Sequence, residues 1–112
     1  MTARWQIAEY VAKASGRRPL VEFYKGLKSV EDRTDFVAAV TALGEFGNAL
    51  GMPHSRPLGD KLFELRQGRI RIFYVFSGKQ SATLLHTFLK QGQKTPAGEI
   101  ETARKRAREV LE

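Results

Sequence analysis

The stretch KLFELRQGRIRIFYVFSGKQSATLLHTFLK, residues 61–90, decides how the rest of this chain is read. Three apolar runs alternate with polar residues at period two and are separated by short turns, the pattern of an antiparallel meander. Strands are expected over 61–66, 69–76 and 81–90, with Gln67-Gly68 and residues 77–80 as the turns. Closing the first hairpin over Gln67-Gly68 sets Arg66 opposite Arg69, Leu65 opposite Ile70, Glu64 opposite Arg71 and Phe63 opposite Ile72. Side chains on a strand alternate faces, so Phe63, Leu65, Ile70 and Ile72 share an apolar face. Glu64, Arg66, Arg69 and Arg71 share the other. A cross-strand pair of Glu64 with Arg71 would use one arginine and leave Arg66 and Arg69 unexplained. Such an excess of cation on an open sheet face points to an external anion.

The charge distribution carries the same message. Of the net +7, residues 53–95 hold eight Lys/Arg against two Asp/Glu. Residues 1–52 hold seven against six, and residues 96–112 four against four. A basic block inside the structured part of a chain suggests a polyanionic partner, most often nucleic acid. The 112 residues are expected to form one domain, 1–112, with a single packed core. No run reaches the ~18 apolar residues of a membrane span. No leader-like apolar segment is read at the N-terminus. The absence of cysteine excludes disulfides and thiolate chemistry and fits a cytoplasmic protein; with only two histidines, no metal or other cofactor is expected.

Upstream, Trp5, Ile7, Tyr10 and Val11 suggest a strand over 4–12, with Trp5 in the core. Pro19 stands where a helix begins, and Leu20, Phe23, Tyr24 and Leu27 give a short amphipathic helix over 19–27. Ser29 is a good N-cap, followed by Glu31 and Asp32 in the first turn. Phe36, Val40, Leu43 and Phe46 then recur at helical spacing, so a helix is expected over 30–46 with Gly47 as its stop. Residues 47–60 read as a loop. Thr95 as cap, Pro96 at the first position and an apolar stripe through Ile100, Ala103, Ala107 and Val110 give a last helix to about 111. Its run Arg104-Lys105-Arg106 with Arg108 reads as the solvated side. The order strand, two helices, three strands, helix is an α+β fold, the paired helices covering one sheet face.

Several pieces of this chain are familiar in order and spacing. They are Gly16-Arg17-Arg18-Pro19, Pro57-Leu58-Gly59-Asp60, Leu62-Phe63-Glu64-Leu65-Arg66 and Arg71-Ile72-Phe73-Tyr74. They continue through Leu84-Leu85-His86-Thr87-Phe88 and end in Gln93-Lys94-Thr95-Pro96, Glu99-Ile100-Glu101 and Ala103. Together they resemble the RelE/ParE superfamily of type II toxin–antitoxin toxins, nearest its HigB-like, phage-derived branch. The resemblance implies a compact microbial RNase fold: an N-terminal strand and helical pair on a twisted antiparallel sheet, with a C-terminal helix. It implies a ribosome-dependent mRNA endoribonuclease working in the A site without metal. It also implies a HigA-like helix-turn-helix antitoxin in a hetero-oligomer. Relatives commonly place a second lysine and a threonine between Lys90 and Gln93, where this chain has Gln91-Gly92.

Metal-free RNA cleavage turns the 2′-hydroxyl on the adjacent phosphorus. It needs a proton acceptor, a proton donor and cations for charge gathering on the phosphoryl oxygens. Arg66 and Arg71 suit the last task, because a guanidinium forks onto two oxygens and stays charged. Lys90 and Lys94 would bring charge to the same rim, and a crowded lysine can serve as base. His86 is an acid–base candidate, or else packs at the sheet–helix boundary in phase with Leu84 and Phe88. The expected catalytic set is thus Arg66, Arg71, His86, Lys90 and Lys94. The expected substrate contacts are His54, Lys61, Arg69 and Phe73, the last stacking on a base or buried under its neighbours. Tyr74, with Ile72 and Phe76, reads as core. Two other functions fit the same fold: a ParE-like gyrase inhibitor, and a non-catalytic RNA- or ribosome-binding domain.

Overall fold

Local rules place the helices. The computed structural model describes residues 4–112. Pro19 opens α1 (Pro19–Gly26), its missing N–H costing nothing in a first turn. Ser29 caps α2 (Val30–Phe46), its hydroxyl accepting from the Asp32 N–H at 3.2 Å. Gly47 ends α2 at φ 51° and starts a 3₁₀ turn, Gly47–Ala49. A Cβ there would overlap the Trp5 indole, so the position needs glycine twice over. The last helix, α3, spans Ala97–Leu111. Thr95 does not cap it: its hydroxyl donates instead to Glu64 Oε2 at 3.2 Å, and Pro96 takes the cap position.

The strands are β1 (Gln6–Glu9), β2 (Ser55–Gly59), β3 (Leu62–Gln67), β4 (Ile70–Gly78) and β5 (Ser81–Leu89). They form one sheet in the order β1-β5-β4-β3-β2. The meander β3–β4–β5 is antiparallel as its alternation requires. On one face α1 and α2 bury Leu20, Phe36, Leu43, Leu65, Ile70, Ile72, Tyr74 and Leu84. On the other, α3 buries Leu62, Phe73, Val75, Leu85 and Phe88 beneath Ala103 and Ala107. Arg104 and Arg106 belong to this second layer rather than to a solvated side. Arg104 donates to the carbonyls of Leu58 and Gly59, and Arg106 to that of Leu85.

Four further expectations, all about the sheet, need correction. The sheet is mixed, because β1 runs parallel to β5, pairing Gln6 with Ser81 through Glu9 with Leu84. Residues 55–59, expected in a loop, form an edge strand against β3 despite Pro57, which an edge tolerates and which lies beside a register irregularity. The first hairpin turns over Gly68-Arg69, so Leu65 faces Ile72 and Arg66 faces Arg71. That is an even shift of two, so the expected faces survive while Arg69 moves into the turn. Finally, a bulge at Leu85 pairs Phe73 with His86 but Tyr74 with Leu84. His86 is therefore out of phase with Leu84: it lies with Phe88 under α3, while Leu84 goes to the opposite core.

Tyr74 is wholly buried, its hydroxyl 2.6 Å from Ser55 Oγ, which pins β2 to the core. Burial raises its pKa above the usual 10.0, and the Ser55 contact opposes that in part. The Tyr10 phenol is raised too, first by its hydrogen bond to Glu109. Phenols raised in the folded state hold their protons where the unfolded chain loses them. Stability is then full below the unfolded phenol pKa and falls as pH climbs through and above it. Tyr74→Phe is expected to cost about 1 kcal/mol at neutral pH and to flatten the alkaline loss, as read by urea unfolding at successive pH values.

Candidate functional site

α3 covers most of the face that carries the arginines, so that face is open only where the strands end. There the loop before β2, the β3–β4 turn and the segment after β5 come together. The Arg66 N–H donates to the His54 carbonyl at 2.8 Å, joining the first two. The Lys90 N–H donates to the Arg69 carbonyl at 2.8 Å, joining the last two. Arg71 lies between them, 8% exposed. Its Nη1 donates to the carbonyls of Gly68 at 2.9 Å and Ile70 at 2.8 Å. One hollow of about 270 Å³ is lined by Pro53, His54, Arg66, Gly68 and Arg71. A second, of about 610 Å³, is lined by Gly68, Arg69, Arg71, Lys90, Gln91 and Gly92. Gly68 and Arg71 belong to both.

The electrostatics are unusual for an arginine this enclosed. Burial pulls the Arg71 pKa below the usual guanidinium value, Arg66 and Arg56 push it the same way, and Glu64 alone opposes. Glu64 is not its partner, contrary to the cross-strand pair expected from the sequence. That buried carboxylate accepts from Arg56 Nε at 3.1 Å and from Thr95. Among the described residues, none of Arg66, Arg71, Lys90 and Lys94 has a carboxylate within ion-pair distance. Guanidinium stays protonated near neutrality even when moderately depressed. Arg71 is thus a desolvated cation held only by carbonyls, with two open hollows beside it. The arrangement suits an oxyanion.

The other expected site residues divide. His54 and Arg66 share a hollow with Arg71, and Lys90 shares the second. Lys94 lines a third depression beyond Gln91-Gly92, next to Thr87, Phe88 and Glu99. Arg69 also lines the second hollow, but its Nη2 is engaged, donating to Asp32 Oδ2 at 2.7 Å. Lys61 is in the turn at the far end of β3, about 17 Å from Arg66 at strand rise. Phe73 is fully buried and packed against Phe88 and His86, which leaves no face for a base. His86 lines neither hollow; its Nε2 is 2.5 Å from Glu99 Oε1 and its Nδ1 lies 3.4 Å from Arg106. It fastens α3 to the sheet.

A family model described as Phage derived protein Gp49-like (DUF891) matches residues 22–108. The chain belongs to that Gp49-like family. No curated protein matches it. Gp49-like proteins are toxins of toxin–antitoxin pairs, and membership implies an antitoxin partner. The matched region runs from within α1 to within α3 and takes in every residue of the two hollows. No described helix of this Gp49-like chain is long and apolar enough to cross a membrane. Sequence reasoning missed Arg56, hidden in what reads as a loop, and Asp32, which reads only as a favourable first-turn acid. The lone Glu64 among cations was the available signal for a buried polar network.

Phe73→Ala is expected to cost about 3–5 kcal/mol, the range for a large buried aromatic. His86→Ala should destabilise through loss of its α3 contacts while leaving oligoribonucleotide affinity at the groove unchanged. Guanidinium unfolding and fluorescence anisotropy with a labelled RNA check the two effects separately.

Proposed function

We propose that this Gp49-like toxin is a metal-independent endoribonuclease of the HigB type, cutting mRNA in the ribosomal A site in the cytoplasm. The observation that carries the reading is Arg71: a largely buried cation at the junction of two hollows, with no carboxylate within ion-pair distance among the described residues. An RNA backbone laid across it sets a phosphate on Arg71, with Arg66 on one side and Lys90 on the other. The ribose 2′-oxygen attacks phosphorus in line with the departing 5′-oxygen. Products are a 2′,3′-cyclic phosphate and a 5′-hydroxyl, with no water consumed in that step. In-line attack asks for proton acceptor and donor on opposite sides of the phosphorus. We assign these two roles to His54 and Lys90, which line the two hollows that share Arg71. Lys94 extends the cationic rim toward the next phosphate. His86 and Phe73 have no part in the chemistry, and Lys61 lies too far away.

A HigA-like helix-turn-helix antitoxin that carries acidic side chains would match the basic end of the sheet and silence it. The 2′-hydroxyl is obligatory, so DNA binds but is not cut.

Arg66→Ala is expected to lower cleavage on the order of 100-fold or more, the scale for removing one preorganised charge-stabilising donor. Growth arrest on expression should be relieved in parallel. Primer extension on mRNA bound to ribosomes maps the cuts; a 2′-deoxy substitution at the cut position should abolish them. An Arg66→Ala protein that cuts and arrests growth at the original rate, or gyrase–DNA complexes trapped in place of cut mRNA, would remove this reading.

A further inference from the structure

The tip of the β3–β4 hairpin carries three consecutive carbonyls with one job each. Those of Gly68 and Ile70 hold Arg71 Nη1, and that of Arg69 holds the Lys90 N–H. Wherever the tip sits, Arg71 and Lys90 sit with it. An exposed two-residue turn would ordinarily be among the looser parts of a sheet. This one is fixed by α2. The Arg69 side chain reaches back to Asp32, whose carboxylate is only 5% exposed. Asp35, one turn further along the same helix face, lies flush against Gly68; a Cβ there would overlap its Oδ2. Gly68 also needs its φ of 54°.

Burying a carboxylate to meet a guanidinium that remains 57% exposed is a poor route to stability. Desolvating Asp32 offsets much of the attraction, and water screens the Arg69 end. What such a pair does supply is a fixed geometry. We infer that Asp32 is a positioning residue, acting through Arg69 to set the spacing between Arg71 and Lys90. Asp32 touches no part of the substrate. The inference rests on the nuclease reading for its consequence, since correct spacing matters when a phosphate must be met from two sides.

The test uses the full-length protein with Asp32→Asn, Arg69→Ala, the double variant, Arg69→Lys and Gly68→Ala. Cleavage under single-turnover conditions is measured beside affinity for a 2′-O-methyl RNA that binds without being cut. The Arg71 Nε–H resonance is followed by ¹⁵N NMR as a readout independent of activity. Asp32→Asn and Arg69→Ala should each slow cleavage on the order of 10- to 100-fold, the scale for a misplacement of about 1 Å. Each should also shift or broaden the Arg71 signal while the melting transition stays cooperative. The double variant should be no slower than either single one, because both act on one route. Arg69→Lys should recover most of the rate. Gly68→Ala, which strains the tip's positive-φ backbone and pushes the Asp35 carboxylate aside without removing a charge, should reproduce the loss even if Asp32→Asn proves unstable. Unchanged rates overturn the inference. So does a rate loss with an unmoved Arg71 signal, which would make Arg69 a phosphate contact in its own right, or losses that simply add. If the unmutated protein cuts no RNA, the nuclease reading fails alone; a moved Arg71 signal would still uphold the positioning.

Discussion

A largely buried guanidinium without a carboxylate partner is the constraint around which this molecule is arranged. Arg71 could have been neutralised by Glu64, two strand positions from its partner Arg66 and on the same sheet face. It is not: Glu64 is turned to Arg56 and Thr95. A buried ion pair would have cancelled its charge. Carbonyls satisfy part of the guanidinium's donor set and none of its charge. The remaining charge faces the hollows on either side.

That requirement explains why both sheet faces are covered. With α1 and α2 on one side and α3 on the other, the central strands bury side chains on both faces along most of their length. The helix α3 is held there by charged groups as well as by its apolar stripe: His86 with Glu99, Arg106 with the Leu85 carbonyl and the Tyr10 ring, Tyr10 with Glu109. The cations of this helix, which read as a wet surface, are in part its fastening.

Much of this was legible from residue order. The bounds of α2 follow from Ser29, the helical repeat of Phe36, Val40 and Leu43, and Gly47. Alternation in the meander correctly separates Leu65 and Ile72 from Arg66 and Arg71, because a hairpin slipped by two positions keeps the same faces. Alternation cannot see an inserted residue, so the bulge at Leu85 sent His86 to the opposite side from Leu84. Nor does local pattern reveal that β1 joins β5 in parallel, a pairing decided by distant parts of the chain. Of the site, Arg66 and Arg71 stand out as surplus charge. Asp32 does not, because a first-turn acid is unremarkable until its partner, Arg69, is located in space.

The parallel edge strand also sets the order in which this toxin comes into being. Gln6 must wait for Ser81 to be synthesised before it has anything to pair with. The segment that ends in Lys90 follows directly after that partner strand. Until β5 has been made, β1 has no strand to join and the segment that carries Lys90 has no sheet to follow. The cationic end can therefore assemble only after the whole meander is in place, later than either of the first two helices.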